Sequence, residues 1–430
     1  MIRTNLTTEQ TGLLSITRSV RFMEVMAWLL ALSFAGGSDL LPLQLGGATL
    51  YAFRFVVMVL GGIALVDVLL SRTFFSRWLN VLLGAMAFWI IWSLMPWYSI
   101  VDYGAFQKDV FYLVIGLCTL LSIGHLVKLS KEHAFIKATI AGLLVNLLLG
   151  VFQILTSIQP ESAHVHALEH FSSEHFVRFA PVGMFGNPNH YAFYLMVNLL
   201  LLAHFRKQLH AGLTFAVGAI AGIMIFLTAS KLAVLSVVLL SANMAFEERQ
   251  QVVDGWRRYR MEVLGAVVLG LVLLTTIDWK NTRQLALQQE RINVAPDTTH
   301  TSSYDARGGL VSCAITAIGE TSGLGLGPGQ FPAYLERPEC TEKTGGIVNA
   351  HSGVLEIVAQ YGVLLMLLIG SIYLSLPFVM RQTATFSWSL VYAACLGLLQ
   401  AANSSFLASP VAWMMLALPV IILKSSKSTS

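Results

Sequence analysis

The residues best suited to chemistry in this sequence fall in four short stretches. Asn349-Ala-His-Ser-Gly-Val-Leu-Glu-Ile-Val-Ala-Gln-Tyr-Gly362 sets His351 just ahead of a helical pattern with Val354, Leu355, Val358 and Ala359 on its apolar face. An imidazole in that place can take a proton near neutral pH, or it can simply cap and pack at a helix start. Further upstream, Ser302-Ser-Tyr-Asp-Ala-Arg-Gly-Gly-Leu310 carries Arg307, and Ser322-Gly-Leu-Gly-Leu-Gly-Pro-Gly-Gln-Phe331 carries Gly323, Gly325, Gly327 and Gly329. Glycines at every second position permit positive φ and close backbone approach, and successive N–H groups in such a turn can cradle an anion. A tight loop with no ligand uses the same residues, and Arg307 taken alone is an ordinary solvated charge. The stretch is not a nucleotide-type phosphate loop, because no Lys-Ser/Thr follows and no strand-to-helix context surrounds it.

Lys231 lies in Leu227-Thr-Ala-Ser-Lys-Leu-Ala-Val-Leu235, between two apolar runs. An ammonium group at such a depth either faces a cavity or partner, or snorkels to the interface. Arg54, about two turns into an apolar run, raises the same question, whereas Glu24 and Asp67 lie near run ends and read as interfacial. Asn187 and Asn189 flank Pro188 in Met184-Phe-Gly-Asn-Pro-Asn-His-Tyr-Ala-Phe-Tyr-Leu195, a pattern that also serves as a plain helix cap. His164, His166, His170 and His175, interleaved with Glu161, Glu169 and Glu174, form either a solvated, pH-sensitive loop or a metal site. The first reading is preferred, and no metal ligands are assigned. Cys313 and Cys340 share one hydrophilic segment and can pair in an oxidising compartment.

These stretches need elements to hold them, and the composition says which. Of 430 residues, 56% are hydrophobic and 12% charged, and the mean hydropathy is +0.69. That is about half the charge of a soluble domain, which excludes a soluble enzyme, a disordered regulator and a nucleic-acid binder. The expected fold is all-α, a polytopic membrane protein of about twelve spanning helices. Their expected ranges are 22–41, 47–70, 79–97, 109–129, 134–158, 188–205, 212–228, 230–246, 261–278, 362–380, 386–406 and 408–424. The Lys/Arg bias of the connections puts both termini in the cytoplasm, with an uncleaved first helix. The division that follows is 1–278 with nine helices, a large outer loop at 279–361, and 362–430 with three helices. That loop exceeds what a connection requires, and aliphatic spacing at 309–318 marks it as folded.

Taken in order, the four motifs resemble the O-antigen ligase and polymerase superfamily of bacterial membrane glycosyltransferases. The likeness rests on Gly-Asn-Pro-Asn at 186–189, Thr-x-Ser-Lys at 228–231, Arg307 ahead of Gly-Leu-Gly-Pro-Gly-Gln-Phe at 325–331, and His351-Ser-x-x-Leu-Glu-x-x-x-x-Tyr-Gly. One departure is Lys231, where the family turn usually carries arginine; lysine keeps the charge but lacks the bidentate fork. The resemblance implies an all-helical fold of the GT-C type in the bacterial inner membrane, active at the periplasmic face. It also implies transfer of a glycan from undecaprenyl diphosphate to lipid A-core or another glycan acceptor, with no cofactor or metal. His351 and Arg307 would be catalytic. Lys231, Arg54, Gly325, Gly327, Gly329, Asn187 and Asn189 would bind the diphosphate or substrate. Membrane lipids are the other expected partner, and no nucleic acid is. The same resemblance allows a polymerase that uses a second lipid-linked repeat as acceptor. From a different class, a transporter or lipid flippase would fit the helix count, although no internal repeat is visible and the motifs gather at one face.

Overall fold

The computed structural model describes residues 20–37, 43–45, 48–71, 75–156, 158, 181–206, 209–228, 230–247, 268, 303–346, 352–381 and 407–425. Its first helix, α1 (Val20–Ala35), stops at Gly36-Gly37, where Gly37 takes φ +66° and lies against Phe185. A short antiparallel hairpin follows, β1 (Leu43–Leu45) and β2 (Ala48–Leu50), with Leu43 opposite Leu50. This corrects the expectation of helix at 36–37 and 48–50; residues 38–41 and 47 lie outside the described residues. Then come α2 (Ala52–Ser71), α3 (Arg77–Ser93), α4 (Tyr103–Lys128), α5 (Glu132–Thr156), α6 (Pro188–Phe205), α7 (Ala211–Leu227) and α8 (Lys231–Glu247). Of the expected helix at 261–278 only Val268 is described, as helical, and the expected helix at 386–406 and the histidine-rich loop from His164 to His175 lie outside the described residues.

Local chemistry sets the helix ends. Helix α3 ends at Ser93 rather than 97 because Pro96 disfavours helical geometry in the residue before it. Helix α4 starts at Tyr103 rather than 109 because the Asp102 carboxylate accepts the Ala105 N–H at 3.0 Å, adding six residues to the apolar run. Among the described residues, α2, α4 and α5 are long and apolar enough to cross a membrane. Together with the composition, they make this a multi-pass membrane protein.

Helix α6 is buried on nearly every side and forms the centre of the bundle, as an element apolar all round must. The C-terminal helix α14 (Pro410–Ser425) packs against α4 and α6, with Trp413 filling the space that Gly116 leaves open. At one end of the bundle the connections carry Arg77, Lys128, Lys131 and Arg206. There Lys128 pairs with buried Asp67 at 2.7 Å, and Lys131 with Glu24 at 3.0 Å. Both acids near the run ends are therefore ion-paired between helices.

The opposite end carries a separate folded unit, the cap. It comprises α9 (Ser303–Glu320), α10 (Gln330–Leu335), α11 (Pro338–Thr344) and α12 (Gly353–Tyr361), and runs into α13 (Val363–Arg381). The cap has its own small core of Leu310, Cys313, Ala314, Ala317, Phe331, Tyr334, Leu335, Cys340 and Ala359. Cys313 and Cys340 are disulfide-bonded, joining α9 to α11. The helical spacing at 309–318 thus belongs to a real helix, longer at both ends.

Candidate active site

The opening of α6 is assembled from backbone fixed by buried amides. Gln153 on α5 accepts the Val182 and Gly183 N–H groups at 3.0 and 2.9 Å and donates to the Gly183 carbonyl at 2.8 Å. Asn146 accepts the Met184 N–H at 3.0 Å and donates to the Ala35 carbonyl at 2.8 Å. These bonds hold the chain so that Asn187 caps α6, its side-chain oxygen accepting the Asn189 N–H at 2.8 Å with Pro188 at the first helical position. Capping is one of the two roles the sequence left open for Asn187. Asn189 is half-buried in the first turn of the same helix.

Lys231 is the first residue of α8, at the cap end of the bundle. The turn before it is closed by Thr228, whose hydroxyl donates to the Ile225 carbonyl at 2.6 Å and accepts the Ser230 N–H at 3.4 Å. Arg54 stands near the start of α2. Its guanidinium lies 4.7 Å from the centre of the Tyr51 ring and 4.8 Å from that of Tyr112, and Nη2 donates to the Tyr112 hydroxyl at 3.3 Å. Lys108 approaches the same Tyr112 ring at 6.0 Å. Two cations are thereby held beside one aromatic ring.

Arg307 sits in the first two turns of α9. That part of the helix lies so close to the end of α11 that a Cβ at Gly309 would run into the Lys343 carbonyl. His351 lies outside the described residues. Its neighbour Ser352 caps α12 by accepting the Leu355 N–H at 3.4 Å, and α12 packs on α9. The helix carrying Arg307 and the helix that starts beside His351 are thus in contact. The buried side of α12 is Ile357, Ala359, Gln360 and Tyr361; Val354, Leu355 and Val358, expected on the apolar face, are only half-buried.

The glycine motif is a joint. Gly325, Gly327 and Gly329 take φ of +90°, +108° and +72°, which a side chain would strain. A Cβ at Gly325 would meet the Gln360 carbonyl, at Gly327 the Tyr98 ring, and at Gly329 the Ala105 backbone. Their N–H groups donate inside the protein, Gly325 to the Thr321 hydroxyl at 3.1 Å, Gly327 to the Gln360 carbonyl at 2.8 Å, and Gly329 to the Gln360 side-chain oxygen. The three glycines position the cap and offer no spare N–H in this arrangement.

Other residues complete the joint. The buried Gln330 side chain accepts the Val101 and Asp102 N–H groups at 2.8 and 2.9 Å and donates to the Asp102 carbonyl at 2.9 Å. Trp92 on α3 donates to the Tyr361 carbonyl at 2.9 Å, and Trp89 meets the Tyr361 ring edge-on at 5.3 Å. Tyr98 donates to the Leu324 carbonyl at 3.5 Å, and burial pushes its phenol up to about 12. Tyr334, in the cap core, is likewise pushed up to about 12, by burial and then by its hydrogen bond to Glu320. The Tyr361 phenol is raised well above its ordinary value, first by burial and then by Asp109.

Sequence reasoning missed Asp109, Gln330 and Gln360. Both glutamines stand within the motifs that were read, but their partners are far along the chain. Asp109 had a legible signal, a carboxylate at the edge of an apolar run, and the expected start of that span at 109 treated it as a boundary residue. Among the described residues no group of three or more His, Cys, Asp or Glu is gathered as a metal site.

A model of the O-antigen ligase family matches residues 215–370. That range takes in most of α7, α8 with Lys231, Arg307, the glycine motif, His351 and the first part of α13. The chain is also similar to the teichuronic acid biosynthesis protein TuaE of Bacillus subtilis (strain 168). The two are 24% identical over 386 residues, which covers 85% of this chain and 75% of that protein.

Proposed function

We propose that the chain, whose residues 215–370 match the O-antigen ligase family, is a membrane glycosyltransferase of that superfamily that moves a glycan from undecaprenyl diphosphate to an acceptor hydroxyl. The observation that carries this reading is the cap. It seats the helix bearing Arg307 and the helix preceded by His351 against each other, at the bundle end that also holds Lys231. The disulfide within the cap supports an oxidising compartment, hence the periplasmic or outer side, for that end. The Lys/Arg-rich connections at the opposite end support the same orientation.

In the proposed reaction an acceptor oxygen attacks the anomeric carbon as the bond from that carbon to the phosphate oxygen breaks. The electron pair leaves with undecaprenyl diphosphate, and the acceptor proton passes to the His351 imidazole. Negative charge grows on the leaving group, where Arg307 and Lys231 are the cations suited to meet it. Each preorganised donor of this kind is worth about 10²–10³ in rate, and the base about 10²–10⁴. No step is routed through a metal, because the diphosphate already leaves readily.

The first acceptor proposed is lipid A-core, which makes the protein a ligase. A polymerase, whose acceptor is a second lipid-linked repeat, is the alternative. It is supported by the similarity along most of the chain to a protein named for teichuronic acid biosynthesis. Reconstitution with undecaprenyl diphosphate-linked oligosaccharide, with and without lipid A-core, separates the two. A ligase yields glycosylated lipid A-core with stoichiometric carrier release. A polymerase yields longer carrier-linked chains when lipid A-core is left out. If folded protein makes neither product, the transferase reading fails.

A further inference from the structure

We infer that Asp109 is the positioning residue that seats the cap on the bundle, its buried carboxylate accepting the hydrogen bond of the Tyr361 hydroxyl across the joint between them. The role assigned to the cap rests on the proposed transferase reading; the seating does not. Asp109 lies in α4, two turns from its start, with only 9% of its surface exposed. A carboxylate at that depth must be met by hydrogen-bond donors. Those found there come from the cap. The Tyr361 hydroxyl donates to Oδ2 at 3.4 Å. The Gly329 N–H and the Gln360 side chain face the same carboxylate, which also feels the charge of its neighbour Lys108. Gly329 belongs to the glycine motif, and Gln360 and Tyr361 to the end of α12. One side chain of the bundle therefore gathers the two motifs that sequence reasoning treated as separate.

The arrangement is reciprocal. Lifting the cap strands a carboxylate near the membrane, and deleting the carboxylate strands the Tyr361 hydroxyl in a buried place. Helix α12 is nine residues long, so it carries the register set at Tyr361 about 13 Å to Ser352 and the adjoining His351. Around that anchor, the Trp92 and Gln330 bonds restrain tilt and slide.

The test is amide hydrogen exchange on the full chain in nanodiscs, run on wild type, Asp109→Ala and Tyr361→Phe. Asp109→Ala raises exchange at residues 325–331 and 357–363 by about tenfold or more while α5 stays as in wild type. Tyr361→Phe, which removes one oxygen and no charge, raises it at the same residues by less. Unchanged exchange there, or a rise of equal size in α5, overturns the seating. A second readout uses undecaprenyl diphosphate-linked oligosaccharide as donor. A misplaced reacting group lowers kcat by on the order of 10²-fold, and Asp109→Ala leaves the donor KM within about threefold. Retained kcat would mean that the seating does not place the reacting groups, and overturns the positioning role. If wild type makes no product while exchange responds as described, the transferase reading fails and the seating stands.

Discussion

Lys231 and Arg307 both bring positive charge to the cap end, but they do not offer a diphosphate the same thing. Arginine presents a planar fork to two oxygens, whereas lysine is a point charge. In the proposed reaction, charge neutralisation by Lys231 therefore needs less exact placement than recognition by Arg307. The tyrosines of the joint work the other way, by remaining neutral. Tyr98 donates to the Leu324 carbonyl only while it holds its proton, and its phenol is pushed up to about 12 by burial. Because the folded-state value lies above the ordinary value near 10, the stabilisation is complete below about pH 10 and is lost as pH rises through 12. Exchange at residues 323–327 should accordingly rise between those limits in wild type, and less in a Tyr98→Phe variant that has no proton to lose. An equal pH response in Tyr98→Phe would assign the effect to other groups.

At the scale of elements, the cap is a small unit whose core consists of a few side chains and one disulfide. The bond closes a segment of 27 residues, and a loop of that order contributes about 3 kcal/mol by constraining the unfolded chain. Replacing Cys313 and Cys340 with alanine should lower the unfolding temperature of the cap and leave that of the bundle unchanged, as judged by exchange in the two regions. A common shift would show that cap and bundle unfold as one.

Much of this element structure was legible, for stated reasons. Apolar runs marked the helices, the aliphatic spacing at 309–318 marked α9, and Asn-Pro-Asn marked the start of α6. Helix ends set by one residue were not, such as Pro96 ending α3 and Asp102 advancing α4. Nor was the work of the glycine motif. Its N–H partner Gln360 lies 31 residues from Gly329, and its neighbour Asp109 sits on another helix, so nothing local in the sequence points to either. The hairpin at 43–50 was hidden by an apolar stretch that satisfies helix and strand equally.

At the scale of the molecule, the two ends of the bundle are built differently. One is held by ion pairs, Asp67 with Lys128 and Glu24 with Lys131, beside basic connections. The other is held by aromatic rings, side-chain amides and a glycine turn, where the cap meets the bundle. This asymmetry favours an enzyme working at one face over a transporter, whose ionisable groups belong near the midplane. The most direct test of that claim is carrier release by purified wild type, His351→Ala and Arg307→Ala, using undecaprenyl diphosphate-linked oligosaccharide and each of the two acceptors. The account predicts release coupled to glycan product in wild type. It predicts a fall of about 10²–10⁴ in His351→Ala and about 10²–10³ in Arg307→Ala, with all three proteins equally folded. Wild-type rates in both variants would contradict it, since the cap would then be positioning residues that the reaction does not use.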